Sequence, residues 1–159
     1  MYDALDAGSL TDAAREFAGN HVIIQSALFG LLRASDPIPA YRLSHDSRIP
    51  GHPLGRTWRG VVSEELDRLP GFILDLRSES YVALGPAPER AHFLRVVTEG
   101  AGGTHRALNH FNKKAKGEFV RELLLDQIDH PDATSLVVWA AARGIRLEPG
   151  VPGELKLVV

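Results

Sequence analysis

Apolar positions along the chain change period several times, and each change predicts an element. Phe93, Leu94, Val96 and Val97, then Ala107 and Leu108, run with a period near two on either side of Gly100-Ala101-Gly102-Gly103. That pattern predicts an antiparallel hairpin over 91–97 and 105–111. Phe119, Val120, Leu123, Leu124 and Ile128 then follow helical spacing, so a helix is expected over 113–127. Trp58, Val61, Val62, Leu66 and Leu69 predict a second long helix over 57–69, broken by Pro70-Gly71.

Shorter elements fill the rest. Thr11-Asp12 can cap a helix over 11–18, with Gly19-Asn20 as its stop. Val22-Ile23-Ile24 reads as a buried strand. The apolar run over 27–32 reads as about one helical turn, ended by Pro37 and Pro39. Residues 38–43 are expected to be extended, and 44–53 to form a loop. Phe72-Ile73-Leu74-Asp75-Leu76 is a strong buried-strand pattern, followed by a short helix over 78–84 with Ser78 as cap. Pro86-Ala87-Pro88 is a linker. Pro131-Asp132 opens a helix over 133–143 that Gly144 stops, and a second hairpin joins 145–147 to 155–159. Strands and helices are mixed, with antiparallel pairs. The expected class is α+β, a mixed sheet with antiparallel hairpins flanked by helices, as one domain over 1–159.

Composition narrows the functional classes. The 159 residues suffice for a core, and 44% apolar with 24% charged content is ordinary for a soluble domain. A net charge of −2 gives no global attraction to nucleic acid, so any basic surface is a local patch. The absence of cysteine excludes disulfides, thiolate metal sites and cysteine nucleophiles, and fits a cytoplasmic protein. Met1-Tyr2-Asp3-Ala4-Leu5-Asp6 has neither the basic region nor the apolar core of a signal peptide, and no apolar run approaches membrane-spanning length.

The segment His110-Phe111-Asn112-Lys113-Lys114-Ala115-Lys116-Gly117 stands out at the expected strand-to-helix junction. A helix start carries unsatisfied N–H groups and the positive end of the dipole. Anions suit that place and lysines do not, so lysines there suggest an anionic partner. The plainer reading is a solvated first turn, with Lys113 or Lys116 pairing nearby acids such as Glu118. The glycine spacing of a phosphate-cradling loop is missing.

Two more polar clusters sit at strand ends, where sites are usually built. One is Arg33-Ala34-Ser35-Asp36 followed by Tyr41-Arg42; the other is Asp75-Leu76-Arg77-Ser78-Glu79-Ser80-Tyr81. Arginine forks suit phosphate or carboxylate geometry. The candidate binding set is Arg33, Tyr41, Arg42, Arg77, Ser78, Tyr81, Asn112, Lys113, Lys114 and Lys116, with Asp75, Glu79 and Lys113 as groups that could move protons. Against this, Asp36–Arg42 and Asp75–Arg77 could be ion pairs that fix loops. The histidines show no helical metal-site spacing, and Ser26 and Ser78 lie outside a Gly-x-Ser-x-Gly elbow. No metal or cofactor is expected.

At these clusters the chain resembles the YaaA family, the peroxide-stress proteins of bacteria. The matching strings are Ser26-Ala27-Leu28-Phe29-Gly30-Leu31-Leu32-Arg33 with Asp36, and Ile38-Pro39-Ala40-Tyr41-Arg42-Leu43. Asp75-Leu76-Arg77-Ser78 with Tyr81, and His110-Phe111-Asn112-Lys113 with Lys116-Gly117, complete the set. The alanine-, arginine- and proline-rich style resembles actinobacterial members. Family members begin with a further N-terminal strand and a lysine-bearing motif, so this chain would correspond to the C-terminal two thirds of the family. The resemblance implies cytosolic protection against hydrogen peroxide, restraint of free iron, and DNA binding through a helix-hairpin-helix placed in the N-terminal portion.

Two expectations follow. In the first, a basic cleft binds an anionic partner such as DNA, with Tyr41, Tyr81 or Phe111 stacking on a base. In the second, the mixed Arg/Lys/Asp/Glu set forms a pocket for a nucleotide-like or other phosphorylated small molecule, as an enzyme or a binding protein. A chain without its first strand would also expose a sheet edge and tend to associate.

Overall fold

The computed structural model describes residues 1–99 and 112–159, and the backbone of 105–107. The chain divides into two compact units: 1–15, 71–76 and 89–159 form the first, and 16–70 with 77–88 form the second. Helices and strands are mixed in an α+β arrangement, as expected from the pattern.

In the first unit the N-terminal turns are α1 (Tyr2–Leu5) and a 3-10 turn at Ala7–Ser9. Helix α2 (Asp12–His21) begins in this unit, with the Thr11 hydroxyl accepting the Ala14 N–H. It runs through Gly19-Asn20 rather than stopping there, and His21 closes its last turn by bonding the Phe17 carbonyl.

The second unit continues with β1 (Ile23–Ser26) and β2 (Gly30–Arg33), an antiparallel hairpin. This corrects two sequence expectations. The 22–24 strand is half exposed rather than buried, and the 27–32 run is a turn and a strand rather than a helical turn. Gly30 at φ 77 supplies the left-handed turn residue, and the Ser26 hydroxyl takes up the turn's N–H groups. Helix α3 (Leu54–Arg68) follows a loop that lacks regular structure from Ala34 to Pro53. It starts one turn earlier than its apolar spacing indicates.

The chain then returns to the first unit for β3 (Leu74–Asp75), a two-residue strand where five residues were expected. It pairs only as Leu74↔His92 and Asp75↔Phe93, because its parallel neighbour begins at His92. Helix α4 (Glu79–Val82) is short, and Ser78 sits at its N-cap without a side-chain cap bond. Strand β4 (His92–Glu99) is the spine of the sheet. It pairs antiparallel with β5 (His105–Ala107), as the alternating pattern foresaw; the Gly100–Gly103 turn lies outside the described residues. Helices α5 (Asn112–Asp126) and α6 (Ala133–Ala142) follow, then the hairpin of β6 (Leu147–Pro149) and β7 (Glu154–Val158). The sheet order is β3-β4-β7-β6, with β7 parallel to β4.

Register explains the core. Leu94 lies beside Leu155, and Val96 beside Leu157, so one face carries a block of aliphatic side chains. Ala115 and Phe119 of α5, and Leu136, Trp139 and Ala140 of α6, cover it. Each fully buried aliphatic side chain contributes about 1.5–3 kcal/mol. On strand neighbours β4 and β7, Arg95 grips the Glu154 carboxylate with two N–H groups at 3.1 and 2.6 Å. The hydrogen bond from Arg95 holds Glu154 below the usual carboxylate range, against the opposing pull of burial.

Helix α5 also carries the N-terminal turns. Arg121 donates to the carbonyls of Leu5 and Asp6 at 2.8 and 3.0 Å, and to the Ser9 hydroxyl at 2.8 Å. Gly117 lets α1 approach: a Cβ there would collide with the Met1 carbonyl oxygen and meet the Ala4 Cβ at 3.0 Å. A glycine-to-alanine change inside a helix normally stabilises by about 1 kcal/mol. Here we expect the opposite sign, with Gly117→Ala lowering stability by about 1–3 kcal/mol in urea unfolding.

Between α5 and α6, His130 packs its ring against Trp139 at 5.5 Å and bonds the Ser135 hydroxyl through Nδ1. Burial lowers its pKa from the ordinary 6.5, and Asp129 pulls weakly the other way. The unfolded chain therefore binds the proton more readily. His130 contributes stability above its unfolded value, and that contribution is lost as pH falls through the lower folded value. The melting temperature should drop on acidification from about pH 8 to about pH 5, and the drop should shrink in His130→Gln.

Candidate functional site

In the second unit the polar centre forms at the end of β1. Ser26 is 4% exposed, and its hydroxyl lies 2.6 Å from the Tyr41 hydroxyl while accepting N–H groups from Leu28 and Phe29. The turn is fastened from the other side by Trp58 of α3, whose indole N–H donates to the Ala27 carbonyl at 2.8 Å. Trp58 also packs on Gly30, where any Cβ would come within 2.8 Å of the ring. Phe29 meets the Tyr41 ring edge-on at 5.2 Å. Tyr81 from α4 packs on the small core of Ala27, Leu54 and Leu84, with the His45 ring 5.6 Å away. Burial, then the neighbouring Tyr41 and Asp46, raise the Tyr81 phenol above its usual value, so it stays protonated at neutral pH.

Arg77 serves as a strut in this unit. It donates to the Gly85 carbonyl at 2.8 Å and to the Gln25 side-chain oxygen. Gln25 is left with a buried amide nitrogen that has no hydrogen-bond partner among the described residues. Asp36 accepts the Arg33 backbone N–H at 2.8 Å, and no Asp36–Arg42 ion pair is seen among the described residues. Arg33 and Arg42 are exposed. Ile23, Phe29, Leu32, Trp58 and Val61 line a groove of about 430 Å3, with Arg33, Asp36 and Glu65 also on its wall.

In the first unit the lysine segment opens α5, although His110 and Phe111 lie outside the described residues. Lys114 pairs with Glu118 at 3.3 Å. The pairing is i,i+4, which the helix favours over the Lys113–Glu118 pair read from sequence. Lys113 is exposed. Lys116 is not a solvated cation: it is 3% exposed. Its ammonium donates to the Leu76 carbonyl at 3.0 Å and lies 4.8 Å from the centre of the Phe93 ring. Phe93 is the register partner of Asp75, which is itself buried. Asn112, the first residue of α5, holds a buried side-chain oxygen with no hydrogen-bond partner among the described residues.

The sequence-derived set thus falls into two groups. Arg33, Tyr41, Arg42, Arg77, Ser78, Glu79 and Tyr81 belong to the second unit, and Asp75, Asn112, Lys113, Lys114 and Lys116 to the first. Within the second, Tyr41 and Tyr81 share surroundings; within the first, Asp75 and Lys116 share Phe93. Sequence reasoning missed the parts played by Ser26 and Phe93. A serine immediately before a glycine-ended hairpin turn is the signal that could have found Ser26. Among the described residues no cluster of three or more His, Cys, Asp or Glu could hold a metal, and no helix is long and apolar enough to cross a membrane.

The model of the family described as peroxide stress protein YaaA matches residues 1–140. The chain belongs to the YaaA family. A UPF0246 protein of Corynebacterium glutamicum strain R is 37% identical over 166 aligned positions, spanning 100% of this chain and 66% of the relative. A UPF0246 protein of Streptomyces coelicolor is 35% identical, with 97% of this chain and 61% of the relative covered. One from Caulobacter vibrioides is 31% identical, with 95% and 62% covered. The chain therefore spans just under two thirds of the length of these YaaA-family relatives.

This geometry separates an arginine that holds the fold from those that stay exposed. Arg77→Ala should destabilise by about 1.5–3 kcal/mol, because it strips charged hydrogen bonds from partly buried acceptors. Arg42→Ala should stay within about 0.5 kcal/mol of the parent in the same urea titration.

Proposed function

We propose that this chain is the part of a bacterial peroxide-stress protein that binds an anionic partner. A compact phosphorylated or nucleotide-like molecule suits it better than duplex DNA. The stress role follows the family's description. The observation that carries the ligand reading is the buried Lys116. Removing an ammonium from water costs several kcal/mol, and placing it near a helix start adds to that cost. Such a charge is a candidate for function.

Duplex DNA is bound by exposed cations that reach phosphates. Lys116 is too deeply placed for that, Lys114 is paired, and Arg77 is tied to its own unit. Arg33, Arg42 and Lys113 are exposed, as is Lys114 in its surface pair with Glu118. Buried Asp75, the strand partner of the Phe93 over which Lys116 lies, would repel a polyanion, yet it suits holding or passing a proton on a small ligand.

Calorimetric titration with AMP, alongside a gel-shift series with a short duplex, tests the choice. AMP should bind at low salt, with a shallow salt dependence that reflects few charges. Duplex binding by several phosphates would instead weaken with a log–log slope of about −0.9 for each phosphate neutralised. A steep duplex slope without AMP binding would replace the compact ligand by nucleic acid. No binding of either would remove the anionic partner altogether.

A further inference from the structure

Three large apolar side chains that the fold leaves partly in solvent surround one hollow. Ile23 of β1, Phe29 of the hairpin turn and Val61 of α3 all line the groove of about 430 Å3. Each is more than a third exposed, and Val61 reaches 54%. Exposed apolar residues scattered singly are ordinary on a surface, whereas several around one concavity mark a place of contact. Every lining residue falls within 23–69, so the groove is built by the second unit alone and does not depend on Lys116.

The aromatic part of the wall is held in place. Trp58 donates its indole N–H to the Ala27 carbonyl, so its ring presents apolar surface and no free donor. Gly30 meets that ring with no side chain between them, and at φ 77 few other residues could stand there.

Three charged residues also reach the wall, and two are committed within the chain. The Asp36 carboxylate accepts the Arg33 backbone N–H, and Glu65 pairs with Arg68 of the same helix. The Arg33 residue is exposed, and among the described residues no ion pair or hydrogen bond holds its guanidinium. Its planar fork of N–H donors matches a carboxylate. A concavity of a few hundred Å3 with a mostly apolar lining and one uncommitted polar group has the make-up of a small-molecule site.

We propose that the groove lined by the β1–β2 hairpin and α3 binds a small amphiphilic carboxylate. Its apolar body lies against Trp58, Phe29 and Val61, and Arg33 holds its charged head. This is a second ligand site, beyond the one read from Lys116.

The test is calorimetric titration of the 159-residue chain with three probes that share one ring system: naphthoate, its uncharged amide, and the cationic naphthylmethylamine. Naphthoate should bind tightest, the amide about five- to tenfold more weakly, and the amine least. Arg33→Gln should bring naphthoate down to the level of the amide and leave the amide unchanged. Val61→Trp, at an exposed helix position, should fill the groove and weaken every probe, with thermal melting confirming that it folds. An amine that binds as tightly as naphthoate gives the charge preference to Asp36 and Glu65 and overturns the carboxylate. Equal affinity for acid and amide, or naphthoate binding that ignores Arg33→Gln, overturns the role of Arg33 and the proposal with it. No saturable binding of any probe overturns the site. A parent chain that self-associates in sedimentation, and stops doing so as Val61→Trp, makes a second copy the occupant and overturns the small ligand.

Discussion

The ammonium of Lys116 is the constraint on which the first unit's polar centre depends. It holds the Leu76 carbonyl just beyond the short strand β3, and it lies over the ring of Phe93 on β4. Helix α5 is thereby tied to the end of β3 through a charge rather than through apolar packing alone. The arrangement is expensive, because the ion is nearly dry and sits early in a helix whose dipole opposes it. Its neighbours offset part of that cost: a carbonyl at 3.0 Å, an aromatic face, and a buried carboxyl on the strand partner of Phe93. A methionine would fill the same space without a charge to desolvate, so packing alone does not account for a lysine there.

The remaining cations divide by what they touch. Arg95, Arg121 and Arg143 bind groups of their own unit: a strand neighbour's carboxylate, the N-terminal carbonyls, and Asp126 at the end of α5. Asp126 also accepts the Trp139 indole N–H at 2.7 Å, so Arg143 completes a junction between α5 and α6. Arg77 does similar work between β1 and the turn after α4. A tally of positive residues therefore overstates the surface available to an anion.

What the sequence made legible follows from periodicity. Helix α5 and both β hairpins of the first unit carry unbroken patterns, so their existence and type could be read directly. The apolar run after Ser26 could not, because a short run fits a strand or a helical turn equally well. Gly30 and the Ser26 hydroxyl decide it. The strand at 72–76 was legible as apolar but not as to length, since pairing depends on where β4 begins. Among the site residues, Lys113 behaves as an exposed lysine should, whereas the burial of Lys116 contradicts the usual habit of its residue type. Nothing in a single sequence marks which lysine of three will turn inward. Tyr41 sits in an aperiodic loop, so its link to Ser26 was invisible.

Polar saturation gives more here than charge counting does. The Ser26 hydroxyl serves the Leu28 and Phe29 N–H groups of the turn and the Tyr41 hydroxyl at 2.6 Å, which ties an aperiodic loop to the hairpin. Gln25 shows the converse in the same unit: Arg77 fixes its oxygen, which forces the amide nitrogen into a buried position with no acceptor. Flipping the amide would set a donor against the guanidinium, so the orphan is a consequence of the strut rather than an error of assignment. Asn112 carries the complementary orphan, an acceptor, at the start of α5. A buried donor or acceptor left unmet costs about 1–3 kcal/mol, and such groups in native proteins call for a water, an ion or a ligand.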